Sequence, residues 1–195
     1  MLIRNGTPAD AARIAALHTA SWRSAYATLM PADYLQGPLA AEHVTKWRAR
    51  TAALSTDGCL LLAEEGDELR GFIHLDLAGD GRVHVDNLHA RPDHVGAGVG
   101  YRLLCRGFAW AAAEHPGRDV SLEVLRGNDR AIAFYERQGG LRTDERPLRL
   151  AAGFTLDEIE YTWPAASVHR LAADSRHPAP GDPEGAAPGR PAAPM

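Results

Sequence analysis

The sequence, 195 residues long, predicts an α/β chain: a twisted mixed sheet, mainly antiparallel, flanked by helices in one domain. Three stretches carry that expectation. Residues 83–104 begin as a strand, with Val83 and Val85 alternating against His84 and Asp86. The run then passes through Arg91-Pro92 and a glycine turn, and goes on with Val99, Leu103, Leu104 and Phe108 at helical spacing. Residues 59–65 and 69–77 read as an antiparallel hairpin around Gly66-Asp67, a dipeptide suited to positive φ. Residues 141–150 and 155–163 read as a second hairpin, in which Ile159, Tyr161 and Trp163 alternate with Glu158, Glu160 and Thr162.

The remaining elements fall in order along the chain. Residues 2–4 form a short first strand, and Thr7-Pro8-Ala9-Asp10 starts a helix with an N-cap threonine, a proline at the first helical position and a carboxylate in the first turn. Ile14 and Leu17 face inward from it. A helical segment bearing Trp22, Tyr26, Tyr34 and Trp47 precedes the first long strand, and the simplest account of these aromatics is that they pack a core layer. His74 and Asp76 share a strand face and are expected to point outward. The helix after the glycine turn runs to about residue 114, where His115-Pro116-Gly117 ends it. A fifth strand spans 120–125, Asn128 caps a short helix over 131–138, and Gly139-Gly140 closes that helix.

Domain 1–163 is therefore one folding unit, and 164–195 is expected to be a disordered tail. Seven of the 13 prolines lie between Pro164 and Pro194, and the last leucine is Leu171, so the segment has too little apolar area to offset its conformational entropy. Net charge is -4, with 21 Lys+Arg against 25 Asp+Glu, which argues against nucleic acid or an anionic membrane as partner. Cys59 and Cys105 sit among apolar neighbours, as reduced core thiols do. No leader and no long apolar run is evident, so a cytoplasmic location is expected. The nine histidines are scattered without metal-ligand spacing, and no metal is expected. Oligomeric state is open, a homodimer included.

The glycine turn carries the first functional signal. Gly96, Gly98 and Gly100 let a ligand approach the main chain, and free N–H groups at a helix start, together with the positive end of the helix dipole, attract a phosphate. G-x-G-x-G is not the dinucleotide fingerprint G-x-G-x-x-G, and no Gly-Lys-Ser/Thr follows to make a P-loop.

The run Leu88-x-Ala90-x-Pro92 and Val95-Gly96-Ala97-Gly98-Val99-Gly100 resembles the acetyl-CoA motif (Q/R)-x-x-G-x-(G/A) of the GNAT N-acetyltransferase superfamily. Asn128-x-x-Ala131-x-x-Phe134-Tyr135-Glu136, just after the fifth strand, is similar to its second signature. The resemblance covers residues 3–163 and implies a GNAT-like sheet with acetyl-CoA as acetyl donor. It implies that Leu88, His89 and Ala90 pair with the pantetheine arm, that Val95, Gly96, Ala97, Gly98, Val99, Gly100 and Tyr101 cradle the pyrophosphate, and that Asn128 bonds the arm from the far side. A splayed fourth and fifth strand would leave the slot between. Two departures stand out: Val95 replaces the usual glutamine or arginine, and Gly139-Gly140-Leu141 stands where Gly-Phe or Gly-Tyr is more common. In GNAT-like enzymes the helical insert forms one wall of the acceptor site, which makes Trp22, Tyr26 and Tyr34 candidates for substrate contact.

Acetyl transfer to an amine needs a neutral amine, a donor for the oxyanion and a proton for the departing thiolate. Tyr135 suits the last role, and the matching tyrosine serves it in much of the family. Its phenol, ordinarily near 10, stays protonated where a thiol near 8.5 begins to ionise. For the base, His84 is the candidate because an imidazole is the side chain suited to taking a proton near neutral pH, and Asp86, on the same strand face, is expected to orient it. The expected reaction is direct transfer to a primary amine, most simply a small molecule. Two alternatives stay open: a non-catalytic acyl-CoA-binding module that could dispense with Tyr135, and an enzyme that modifies protein N-termini.

Overall fold

A computed structural model of the chain describes residues 1–54, 58–94, 96–150 and 152–174. Strand β1 (Leu2–Asn5) leads through a single 3-10 turn into helix α1 (Ala11–Ala25). The turn forms because Thr7 donates from both its backbone N–H and its hydroxyl to Asp10 Oδ2, each at 2.9 Å, while Arg4 clamps the same carboxylate with two arms at 2.9 and 2.7 Å. These hydrogen bonds hold Asp10 well below the usual carboxylate range although it is buried. Helices α2 (Ala32–Gln36) and α3 (Leu39–Ala52) complete the insert ahead of the long strands.

Strands β2 (Gly58–Glu65) and β3 (Glu68–Leu77) form the first hairpin, with Gly66 at φ 58° in its turn. Strand β4 (Val83–Ala90), helix α4 (Val99–Glu114), strand β5 (Val120–Leu125), helix α5 (Asp129–Arg137), and strands β6 (Leu141–Arg149) and β7 (Thr155–Trp163) follow. The seven strands lie in the order β1-β2-β3-β4-β5-β7-β6, antiparallel throughout except for β4 beside β5. The mixed, mainly antiparallel sheet expected from the sequence is thus present.

Helices cover both faces. On one, Ile14 and Leu17 of α1 and Trp47 of α3 pack on Leu60, Leu62, Leu69 and Phe72. On the other, Leu103, Leu104 and Phe108 of α4 pack on Ile73, Leu75, Val83, Val120 and Trp163. Cys59 and Cys105 are buried free thiols, and burial pushes them up to about 12 and about 11, so neither is a nucleophile near neutrality.

Two expectations are corrected. Residues 164–195 are not all structureless: Ala165–Asp174 form helix α6, which buries Val168 in the α4 core and packs Leu171 against it, and Asp119 Oδ1 accepts from the Ala165 N–H at 2.9 Å. Composition missed it because two apolar anchors suffice when a hydrophobic groove is already built; residues 175–195 lie outside the described residues. His74 does not point outward either. It is 4% exposed, because α3 lays the Trp47 ring across that strand face at 5.8 Å.

Candidate active site

Strands β4 and β5 pair at only two positions, Val83 with Val120 and His84 with Ser121. Beyond them the strands part, and the burial of β4 stops alternating: every residue from Asp86 to Ala90 is half-buried. Main-chain groups on that edge therefore have no ladder partner on the β5 side. The wedge opens into a cleft of about 740 Å3, lined by β4 and β5, by Trp22 and Tyr26 of the α1 end, and by Asn128 and Tyr135 around α5.

Past Pro92, the last β4-side residue that lines the cleft, the chain turns into α4, whose Gly100 lies beside Phe134 of α5. Gly96 and Gly98 take φ 88° and 75°, a region where a Cβ is strained, and the Gly98 carbonyl accepts the first helical bond from Arg102 at 3.0 Å. The N–H groups of Val99, Gly100 and Tyr101 lie in the helix's first turn, which leaves them without intrahelical acceptors. A Cβ built on Gly96 would meet nothing within 4 Å, so the turn is open on its outer side. Ala97 is exposed there as well. Such a cradle fits a pyrophosphate. Val95 lies outside the described residues, and the Tyr101 side chain turns to α6, where its hydroxyl donates to Asp174 Oδ2 at 2.9 Å.

Across the slot, Asn128 caps α5 by accepting from the Ala131 N–H at 3.3 Å, which fixes the helix that carries Tyr135. Tyr135 is 8% exposed, lines the cleft, and meets Trp163 and Tyr161 edge-on or tilted at 6.0 and 6.2 Å. Burial, and secondarily the nearby Tyr26 phenol, raise its pKa above the ordinary value, so it stays protonated at every working pH. Tyr26 is raised by burial too, against a hydrogen bond with Asn128.

The expected pairing of His84 with Asp86 is not formed. His84 Nε2 lies 3.2 Å from Glu123 of β5, and its Nδ1 lies 3.5 Å from the Ser121 hydroxyl. Asp86 falls where the β3–β4 register slips between His74 and Leu75, and its carboxylate is turned to Arg50 of α3, with Nη2–Oδ1 at 3.0 Å, and to His74 Nδ1 at 3.6 Å. Burial would raise Asp86, but His74 and Arg50 hold it far below the carboxylate range, so it takes up no proton near neutrality. The carboxylate that can orient His84 is Glu123, itself bonded by Arg146 at 2.7 Å.

The acceptor candidates divide. Trp22 lines the cleft and meets His18, Tyr26 and His43 edge-on at 5.4, 5.2 and 5.1 Å; Tyr26 lines it beside Met30. Tyr34 does not line it: its hydroxyl donates to Glu42 at 2.8 Å and its ring packs on Phe154, joining the insert to the β6–β7 hairpin. Behind Trp22 lies a layer that sequence reasoning missed. His18 stacks on His43 at 3.8 Å and meets His89 at 4.4 Å, and Trp47 Nε1 donates to His18 Nδ1 at 2.9 Å. Burial lowers all three histidines, His43 to about 4 and His89 to about 3, so the layer is neutral. Lys46 of α3, Glu123 and Glu158 also line the cleft. The one signal in the sequence was that Lys46 is the only lysine among 21 Lys+Arg. No group of three or more His, Cys, Asp or Glu suited to a metal occurs among the described residues, and no described helix is long and apolar enough to cross a membrane.

The chain compares with known proteins as this geometry leads one to expect. The model of the acetyltransferase (GNAT) family matches residues 15–140. An uncharacterized N-acetyltransferase of Bacillus subtilis, YuaI, is 28% identical over 172 residues, covering 85% of this chain and 94% of that protein. Among solved structures, a GCN5-related N-acetyltransferase from Rhodopseudomonas palustris superposes with TM-score 0.67 at 25% identity, covering 84% of this chain and 94% of that one. A PaiA N-acetyltransferase from Thermoplasma acidophilum in complex with coenzyme A gives 0.65 at 18%, covering 83% and 98%. With its parted parallel strands, its glycine turn at a helix start and a family match over most of its length, the chain belongs to the acetyltransferase (GNAT) family and is an acetyl-CoA-dependent N-acetyltransferase.

Proposed function

We propose that the protein transfers an acetyl group from acetyl-CoA directly to the neutral amine of a small molecule, with Tyr135 as general acid. The observation that carries this reading is a buried phenol, held protonated, among the residues that line the cleft opened where β4 and β5 part.

In this reading the first turn of α4 holds the pyrophosphate through N–H groups and the helix dipole, and residues 88–90 pair with the pantetheine arm. An N–H on the open edge of β4 supports the oxyanion as the amine nitrogen bonds to the thioester carbon. As the C–S bond breaks, Tyr135 places its proton on the sulfur; His84, oriented by Glu123, takes the proton shed by the amine, directly or through water. Trp22 and Tyr26 form the apolar side of the acceptor pocket.

A panel of primary amines screened with acetyl-CoA by release of free thiol tests the activity, with coenzyme A uptake followed by calorimetry. Turnover with at least one amine, lost in Tyr135→Phe while coenzyme A uptake persists, supports the reading. Uptake without turnover on any amine or peptide N-terminus supports a binding module, and turnover on peptide N-termini alone replaces the acceptor class.

A further inference from the structure

The acceptor half of the cleft carries a cation that has no ion pair of its own among the described residues. Lys46 is the single lysine of the chain and, among the described residues, the one residue of α3 that lines the cleft. It is half-buried and makes no ion pair among the described residues. The carboxylate nearest in charge, Asp86, is committed to Arg50 and His74. The other titratable groups that feel the charge of Lys46 are Arg50, His18, His43 and His89; the first is a cation and the three histidines are held neutral by burial. Asp86 stands against two cations, and the next carboxylate, Asp76, 3.4 Å from His74 Nδ1, has its side chain half in solvent and does not line the cleft, so the cleft side of this corner keeps an excess of positive charge.

The wall built by β5 and β7 has the reverse balance. Glu123 of β5 and Glu158 of β7 both line the cleft and share Arg146, at 2.7 and 2.9 Å, with His84 beside Glu123. Glu160, the next carboxylate along, is matched by Arg82 at 2.8 Å. Two carboxylates therefore share one permanent cation. Asp129 and Arg130, the remaining charged lining residues, are exposed at the rim and offset each other. A half-buried ammonium with no counter-ion is held at a cost in desolvation that a bound anion would remove.

We propose that Lys46 is a specificity residue that binds an acidic group, a carboxylate in the first instance, on the acceptor, so that the substrate is a zwitterion with its ammonium drawn to the Glu123–Glu158 wall and its anion to α3. This rests on the acceptor reading above and narrows its substrate class. A carboxylate fits the cleft's charge pattern at both walls; a diamine would meet Lys46 with like charge.

The test uses the full chain and primary amines matched in length, in three versions: with a distal carboxylate, a neutral amide, or a second amine. Each is measured for kcat/KM with acetyl-CoA and, separately, for equilibrium binding to the coenzyme A complex by calorimetry. The carboxylated version is expected to lead by tenfold or more. In Lys46→Met that lead collapses through a rise in KM, Lys46→Arg restores part of it, and Lys46→Glu inverts the preference toward the diamine. Coenzyme A uptake reports that each variant is folded. Equal kcat/KM for the three versions in the native protein, or a fall in kcat on all of them in Lys46→Met, overturns the proposal, the latter assigning Lys46 to proton transfer. If no amine turns over, the acceptor reading fails by itself; the binding arm still decides, and absence of a carboxylate preference there overturns the role of Lys46.

Discussion

In the proposed reading the donor is held by main chain: Gly96 and Gly98 at positive φ, the first turn of α4 and the unpaired edge of β4 all lie within residues 86–101. The acceptor end is built from side chains on α1, α3, β4, β5 and β7, brought together from positions as distant as Trp22 and Glu158. The difference teaches where a shared chemistry ends and a particular substrate begins. A pyrophosphate is recognised by N–H groups that any sequence supplies once glycine frees the backbone, whereas an amine is chosen by charges and rings that only packing can assemble.

The sharpest break between the two ends is Tyr135→Phe. Turnover is expected to fall by roughly 10² to 10⁴-fold, the usual range for loss of a general acid, with the affinity for coenzyme A in calorimetry unchanged. A parallel loss of affinity would mean that the phenol belongs to the donor cradle instead.

Acid should open the acceptor end first. His18, His43 and His89 have folded pKa values depressed by burial, so the unfolded chain binds protons that the native one refuses. Their contribution is complete above the unfolded pKa of about 6.5 and is lost as pH falls toward about 4 and then about 3, at most about 1.4 kcal/mol per pH unit for each histidine. Thermal melting across that window, with tryptophan fluorescence against the far-UV signal, checks it; flat stability from pH 7 to 5 would place the histidines in solvent.

Gly98→Val probes the donor end alone. At φ 75° a β-branched residue costs about 1–2 kcal/mol, so the coenzyme A dissociation constant should rise about tenfold while KM for the amine holds. Smallest is Tyr34→Phe, which removes the bond to Glu42 and costs about 1 kcal/mol of stability, a melting shift of a few degrees, without altering the amine KM. A rise in that KM would return Tyr34 to the acceptor wall.

The elements were legible because their signals are local. Gly66 at a hairpin turn, Thr7-Pro8 before α1 and Asn128 before α5 act within a few residues, and their roles follow from short-range geometry. Helix α6 was not legible, since Val168 gains burial only from a groove that α4 and β7 create. Asp86 was misread as the partner of His84 for a related reason. Period-two alternation puts the two on one face, but a register slip against β3 and the arrival of Arg50 from α3 redirect the carboxylate.

The sequence by itself determined the two hairpins, the glycine turn and the tyrosine after the fifth strand, because turns, caps and positive φ are decided by neighbours in the chain. Only the tertiary structure decided that Glu123 and not Asp86 meets His84, that three neutral histidines pack together behind Trp22, and that Lys46 lines the cleft with no ion pair among the described residues. Charge pairing and desolvation act across space between residues that the chain keeps far apart, and no local pattern encodes them.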